Sequence, residues 1–332
     1  VYISSPYGER IDFLKKMGCI YREVKINRHG KNPCAEWKLL RYYNTLLKEI
    51  QPDIILTFTI KPTIYGSIAA RKNRIPCIVT ITGLGMALER NGILQKGLLY
   101  AYRWCLKNVS CVFFQNKSNL EFFEKHNLYH GMKKLLPGSG VNLSEYTYEA
   151  YPDYPEENTK FLFVGRIMKD KGVDEYLEAA RRVKQIYPKV EFGMAGFIDG
   201  KYADILREAC RQRTIRYYGV QTDIKPFYKA ASAVVLPSYH EGMANVLLEA
   251  AAMGRPVIAS NIPGCRETFD EGVSGLGFEV KSTEDLSVKL LQFIKIPLEI
   301  KTLMGKRGRE KMTKDFDRNL VIRKYMNTIK NI

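Results

Sequence analysis

Ala233-Val234-Val235-Leu236-Pro237-Ser238-Tyr239-His240-Glu241-Gly242-Met243-Ala244-Asn245-Val246-Leu247-Leu248-Glu249-Ala250 decides how the rest of the chain is read. Ala233–Pro237 has the length and composition of a buried strand, and the turn after it opens a helix running to about Met253. Gly242 and its small neighbours let a ligand come close to the backbone. The first N–H groups of the helix, Gly242 to Asn245, then form an anion site aided by the helix dipole. Glu241 and Glu249 frame that site, and Asn245 and Glu249, four apart, share one helical face. A carboxylate accepts two hydrogen bonds at once, which suits sugar or ribose hydroxyls. On spacing alone, a helix with an acidic cap and a solvated glutamate explains the stretch at least as well.

The context changes that balance. Upstream lies Phe161-Leu162-Phe163-Val164-Gly165-Arg166-Ile167-Met168-Lys169-Asp170-Lys171-Gly172, a strand running through a loop into a helix. Arg166 and Lys171 put two cations beside a helix N-terminus, an arrangement suited to a diphosphate.

Gly165, Arg166, Lys171, Gly172, Glu241, Gly242, Glu249 and Ala250 together resemble the donor-binding half of retaining family 4 glycosyltransferases, of the bacterial capsular and surface-polysaccharide type. The resemblance covers nearly the whole chain. It implies an α/β fold of the GT-B type, two Rossmann-like domains with parallel sheets facing across a cleft. The expected division is 1–143 for an acceptor-binding domain, 144–159 for a linker rich in Tyr, Glu, Asp and Pro, and 160–314 for the nucleotide-sugar domain. A C-terminal helix, 315–332, is expected to cross back to the first domain. Relatives begin with a further strand, Gly-rich loop and helix, so a cropped start is expected here; a missing central strand would leave sheet edges open.

The resemblance also assigns roles. Arg166 and Lys171 hold the donor diphosphate and stabilise the departing charge, with Gly165 at the turn. Glu249 holds the ribose, Gly219-Val220 contact the base, and Glu241 with the N–H groups of Gly242, Met243, Ala244 and Asn245 holds the transferred sugar and distal phosphate. Glu241, Arg166 and Lys171 are thus the expected catalytic set. Retention by front-face attack needs no carboxylate pair, and Glu241 as a nucleophile is the less favoured alternative. On the acceptor side, Thr57-Phe58-Thr59-Ile60-Lys61-Pro62-Thr63-Ile64-Tyr65-Gly66 resembles a segment of surface-polysaccharide members, which points to Lys61 and Tyr65. Ile81-Thr82-Gly83-Leu84-Gly85 has two glycines of a dinucleotide fingerprint, with Leu88 where the third would stand. Thr82-Gly83 replaces the His-Gly pair of many relatives, leaving Thr82 to supply only a hydroxyl.

With 332 residues, 45% hydrophobic and 26% charged, the chain has room for two well-cored domains. Its formal net charge is +17, placed unevenly: residues 1–150 carry 22 Lys/Arg against 11 Asp/Glu, and 151–332 carry 30 against 24. A basic half suggests an anionic partner, and anionic lipid headgroups or a lipid diphosphate fit better than nucleic acid, for which no motif is present. Seven scattered cysteines with no C-x-x-C pair argue for a reducing cytoplasm. No apolar run is long enough to span a bilayer, and the opening residues do not read as a signal peptide. The segment 86–107 reads as a packed helix, or as a membrane-interface helix through Arg90, Lys96, Arg103, Lys107 and its aromatics. No metal is expected: the four histidines lack ligand spacing, and Asp315-Phe316-Asp317 reads as helix capping.

Strand–helix alternation runs through both halves, as a doubly wound parallel sheet requires. In the first half, Asp53–Phe58 is expected to be a buried strand. The functional expectation is transfer of a sugar from a nucleotide sugar, UDP-linked, to a glycan or lipid-linked acceptor in surface-polysaccharide assembly. The nucleotide sugar is a substrate, and no cofactor is expected. The expected location is the cytoplasm, or the inner face of the plasma membrane. The alternatives are a UDP-sugar epimerase of the same fold and a non-catalytic protein binding anions or membrane surfaces.

Overall fold

The computed structural model describes residues 1–8, 10–26, 32–84 and 92–332, without the side chains of Ile93 and Leu94. Two compact units divide the chain. One comprises Val1–Phe113, Glu121–Lys134 and Ile332, the other Phe114–Leu120 and Leu135–Asn331.

In the first unit, β1 (Tyr2–Ser5) pairs in parallel with β2 (Ile20–Glu23), with α1 (Ile11–Lys16) between them in sequence. A second sheet has the order β3-β4-β5-β6, from Ile55–Phe58, Cys77–Ile81, Cys111–Phe114 and Met132–Leu135. Helices α2 (Pro33–Ile50), α3 (Ile60–Asn73), α4 (Ile93–Cys105) and α5 (Lys117–Lys125) lie between the strands. The start of α2 is set by Pro33 in its first turn and by the Asn32 side chain, which accepts from the Cys34 N–H at 3.0 Å. Leu39, Tyr43, Leu46 and Leu47 form its buried stripe.

The expectation of a buried strand at 53–58 is corrected. Only Thr57 of β3 is buried, while Leu56 and Phe58 remain 41% and 44% exposed. The reason is position: among the described residues, β3 is the outer strand of its sheet and pairs with β4 alone. The fully buried strands are β4 and β5, each covered by neighbours on both sides.

The second unit holds β7 (Lys160–Val164), β8 (Glu191–Ala195), β9 (Arg216–Tyr217), β10 (Ala233–Leu236), β11 (Val257–Ser260) and β12 (Gly275–Phe278). Their order is β12-β11-β10-β7-β8-β9, and every neighbouring pair is parallel. The helices are α6 (Val173–Ile186), α7 (Ala203–Arg211), α8 (Lys225–Ala230), α9 (Asn245–Ala252), α10 (Thr283–Ile294), α11 (Leu298–Asp315) and α12 (Arg318–Lys330). Asp317 caps α12 by accepting from the Asn319 N–H at 2.9 Å.

Apolar strands with both faces covered give this unit its core. Phe161 lies 5.2 Å from the Phe192 ring and 5.9 Å from the Phe293 ring, and all three are buried. Truncating such a ring costs about 3–5 kcal/mol, so Phe161 is a main support of β7. The segment after residue 143 has little regular structure but is firmly held. Arg255 donates to the carbonyls of Glu149 and Ala150, each at 2.6 Å, and Arg309 donates to that of Tyr146 at 2.7 Å.

The strand order places the site. The chain winds from β7 outward through β8 and β9, then returns to β10 and winds the other way through β11 and β12. The loops leaving β7 and β10 therefore diverge, and a crevice opens at the carboxyl ends of this central pair, where doubly wound sheets take their ligands.

Candidate active site

Both loops singled out by sequence start at that crevice. After β7 the chain passes Gly165 and Arg166, makes one 3-10 turn over Lys169–Lys171, and enters α6 through Gly172. After β10 it passes Ser238 to Ala244 and enters α9. The Tyr239 N–H donates to the Asp170 carbonyl at 2.9 Å, joining the two loops by their backbones. Gly172 sits at φ 70°, and a Cβ there would lie 2.0 Å from the Pro237 carbonyl oxygen. That approach is open only to glycine.

The loops bring Lys171 and Glu241 into direct contact, Lys171 Nζ on Glu241 Oε1, with the side chains 19% and 14% exposed. The Ser238 hydroxyl donates to the same carboxylate oxygen at 2.8 Å. Arg166 is exposed and makes no ion pair with any described residue, so its guanidinium is available to an anion. Glu249, on the second turn of α9, accepts from the Tyr228 hydroxyl at 3.0 Å. Burial, and then the Glu249 charge, hold the Tyr228 phenol well above its ordinary range. It therefore stays a donor to that carboxylate.

The expectation that four consecutive N–H groups face a ligand is corrected in two places. The Ala244 N–H donates to the Gly264 carbonyl at 2.8 Å, and the Asn245 N–H folds back onto the Met243 carbonyl at 3.0 Å. Helix α9 begins one tight turn late; that turn uses the Asn245 donor itself, and the loop at Gly264 takes the Ala244 donor.

Gly165, Gly196 and Gly219 stand together just beyond β7, β8 and β9. The Gly196 N–H donates to Gly219 O at 2.8 Å, and a Cβ on Gly196 would meet Gly165 O at 1.8 Å. Gly219 lies at φ 75° with open space around its α-carbon, and Val220 beside it is exposed. The crevice floor is thus bare backbone, as close approach of a flat or phosphorylated ligand requires.

Two contributors escaped the sequence reading. Gly264, at φ 83°, packs so closely that a Cβ would meet Glu241 O at 2.7 Å and Gly242 O at 2.8 Å. The buried Asn116 caps α5 with its carbonyl oxygen and donates its amide to Gly242 O at 2.6 Å. The first had a weak signal in Ile262-Pro263-Gly264; the second had none.

In the first unit, Lys61 and Tyr65 lie one turn apart on α3 and converge on Glu36 of α2, which sequence had not marked. Lys61 Nζ contacts Glu36 Oε1, and the Tyr65 phenol lies near enough to the same carboxylate to feel its charge. Burial first, then Glu36, pushes the Tyr65 phenol up to about 12. Thr59, just before α3, holds φ 65° and ψ 165°, a conformation costing about 1–3 kcal/mol in a residue with a side chain. Thr82 and Gly83 follow β4 directly, and both are half-buried. Gly85, Leu88 and Arg90, like His29, lie outside the described residues.

A doubly wound parallel sheet that carries Lys171, Glu241 and Glu249 beyond the carboxyl ends of its central strands is in keeping with the GT-B class of α/β glycosyltransferases. Solved structures of that class agree in fold. HepE from Anabaena, solved with UDP-glucose, matches at a TM-score of 0.80 with 16% identity, covering 100% of this chain and 92% of its own. Sucrose-phosphate synthase from Thermosynechococcus elongatus matches at 0.73 with 18% identity, over 99% and 96%. Residues 149–311 match the family described as glycosyl transferases group 1, and residues 1–116 match glycosyl transferase 4-like. The chain belongs to this family of group 1, family 4-like glycosyltransferases. A Campylobacter jejuni relative, N,N'-diacetylbacillosaminyl-diphospho-undecaprenol alpha-1,3-N-acetylgalactosaminyltransferase, is 25% identical over 100% of this chain and 92% of its own length. The Escherichia coli UDP-Gal:alpha-D-GlcNAc-diphosphoundecaprenol alpha-1,3-galactosyltransferase is 26% identical over 82% and 73%.

Proposed function

We propose that this glycosyltransferase moves a hexosyl or N-acetylhexosaminyl group from a UDP-sugar to a lipid-linked glycan, with retention of configuration, in surface-polysaccharide assembly. The observation that carries the reading is the Lys171–Glu241 contact at the sheet's switch point, with Glu249 two turns along the adjoining helix. In this reading the donor diphosphate takes Lys171 and Arg166, and the sugar hydroxyls take Glu241. Negative charge builds on the diphosphate as the glycosidic bond breaks, and fixed cations in a poorly hydrated crevice favour that transition state. The ribose takes Glu249, kept in place by Tyr228. Two cations on the diphosphate make a metal unnecessary, and EDTA should leave turnover unchanged.

The relatives' names support the acceptor class, since both act on sugars carried by diphosphoundecaprenol. Lys61, Tyr65 and Glu36 form the acceptor-side cluster in this reading. The test is UDP release from UDP-sugars with a short diphosphoundecaprenol-linked acceptor, followed by NMR of the product. An α-linked product is expected. A β-linked product overturns retention, and a free epimerised sugar in place of a glycoside overturns transfer.

Contact with an anionic membrane surface is part of the proposal, through α4. Tyr100 is 70% exposed, Lys96 and Lys107 are exposed, and Trp104 carries the Arg71 guanidinium 4.3 Å from its ring. Arg103, expected to face lipid, instead donates to the His126 carbonyl at 2.7 Å. No helix among the described residues is long and apolar enough to cross a membrane. Sedimentation with phosphatidylglycerol vesicles should fall in the Lys96→Gln/Lys107→Gln variant, and unchanged sedimentation removes this part of the proposal.

A further inference from the structure

Glu175, in the first turn of α6, is 9% exposed and is the only buried carboxylate among the described residues. The helix dipole accounts for an acidic residue at a helix start, but such a group ordinarily stays in water. Taking a carboxylate out of water is costly unless hydrogen bonds replace its hydration. Glu175 Oε1 accepts from the Tyr239 hydroxyl at 2.6 Å, while Oε2 is buried with no hydrogen-bond partner among the described residues. None of the assigned roles uses this pair.

Its place in the chain gives it a meaning. Tyr239 stands just before Glu241, and Glu175 lies one helical turn beyond Lys171, so their bond ties together the two loops that carry the ion pair. Two further contacts fix Tyr239. Its N–H donates to the Asp170 carbonyl at 2.9 Å, and the Lys281 ammonium lies 5.0 Å from the centre of its ring. Burial, and then the bond to Glu175, hold the phenol well above its ordinary range, so it stays a donor.

We infer that Tyr239 and Glu175 are positioning residues for the donor complex: their hydrogen bond keeps the Glu241 turn seated against α6 once a diphosphate has drawn Lys171 off Glu241. The inference rests on the donor reading given above. In the free protein the two loops share the Lys171–Glu241 pair, the backbone bond from Tyr239 to Asp170, and the bond from the Tyr239 hydroxyl to Glu175. The ligand takes the first of these. The hydroxyl bond then carries more of the turn's order in the complex than in the free protein, so its loss weakens donor binding as well as the fold.

The test uses the full chain, with UDP titrated calorimetrically and Tm read by scanning fluorimetry. Tyr239→Phe leaves Glu175 buried without its donor, so Tm should fall and UDP affinity should drop at least about fivefold. Tyr239→Phe/Glu175→Leu removes both partners, and replacing both ends of a buried hydrogen bond with apolar groups is nearly neutral for stability. The double variant should therefore regain most of the lost Tm while its UDP affinity stays at least about fivefold below wild type. Recovery of affinity together with Tm would make the bond a matter of fold stability and overturn the inference. So would wild-type affinity in Tyr239→Phe. Glu175→Gln keeps an acceptor for the hydroxyl and should rescue binding to within about threefold of wild type. A loss there as deep as in the double variant would assign the effect to the charge, not to the bond, and overturn the inference as well. Lys171→Ala is titrated alongside. Unchanged UDP affinity in that variant is failure of the donor crevice itself, whereas a weakened Lys171→Ala beside an unaffected Tyr239→Phe is failure of this inference alone.

Discussion

Replacing Lys171 with methionine preserves most of the side chain's length and removes its charge, so it isolates what the ammonium contributes. With side chains 19% and 14% exposed, the Lys171–Glu241 pair lies between two limits. Exposed pairs contribute about 0–1 kcal/mol, whereas breaking a buried pair costs about 3–5 kcal/mol. The Ser238 hydroxyl, at 2.8 Å, still serves Glu241 after the change, which argues for the middle of the interval. The expected loss is about 2 kcal/mol, or about 4–8 °C in Tm for a unit of this size. Glu241→Gln in the same background should restore part of it, because no carboxylate is then left without a cation. The catalytic effect is of similar size and has a different origin. A charge-assisted hydrogen bond to a phosphate is worth about 1.5–3 kcal/mol, so kcat/KM for the UDP-sugar should fall about 10- to 150-fold. Scanning fluorimetry gives the first number and UDP release gives the second. A Lys171→Met enzyme with wild-type Tm and kcat/KM would refute both the pairing and its role.

Tyr228→Phe removes one donor from Glu249 and leaves the ring in place; about 1 kcal/mol of positioning is lost, and KM for the UDP-sugar should rise about fivefold with kcat nearly unchanged. Gly264→Ala forces a methyl group to within 2.7 Å of Glu241 O at a backbone held at φ 83°. It should lower kcat/KM at least tenfold while circular dichroism stays native, and an active Gly264→Ala enzyme would show that the turn tolerates displacement. The alkaline limb of stability follows from burial. Cys77 and Cys111 are pushed up to about 11, and the Tyr176 and Tyr228 phenols lie well above their ordinary range. Groups raised in the folded state leave stability intact below their unfolded pKa and erode it above. Urea midpoints should therefore hold level to about pH 8.5, where unfolded thiols begin to ionise, then fall steeply beyond about pH 10, where unfolded phenols do. Exposed tyrosines such as Tyr100 ionise in the folded protein, so the burial of Tyr176 and Tyr228 would be contradicted if the tyrosinate absorbance seen before unfolding fell in Tyr176→Phe or Tyr228→Phe.

How much of the site was legible depended on how each part is encoded. Gly172, Lys171 and Glu241 belong to local patterns, a glycine at a helix start and a carboxylate at the next strand's end, so their roles show in the chain itself. Their meeting across 70 residues did not need to be guessed once both strands were read as central, because the parallel winding brings the two loops together. Glu36 is different. It sits in the first turn of α2 among ordinary surface residues, and only the packing of α2 against α3 turns it into the partner of Lys61, 25 residues on. Asn116 is hidden more deeply, since an asparagine before a helix is fully explained as a cap, and its second hydrogen bond spans 126 residues. The overestimate of free N–H groups at Gly242–Asn245 has a related cause. The dipole argument treats a helix start as an isolated object, whereas here Gly264 is glycine so that its carbonyl can reach the Ala244 N–H. Sequence thus reveals donors and charges where a loop leaves a strand, and tertiary packing decides which of them the protein keeps for itself. Glu241 held by both Lys171 and Ser238 is the consequence that matters for chemistry. In the proposed reading, a donor that draws Lys171 onto its diphosphate opens a place on Glu241 Oε1 for a sugar hydroxyl, while Ser238, bonded to that same oxygen, keeps the carboxylate from turning away. The contact that orders the loop is then exchanged, not added, when substrate arrives, and substrate binding costs little reorganisation of the loop.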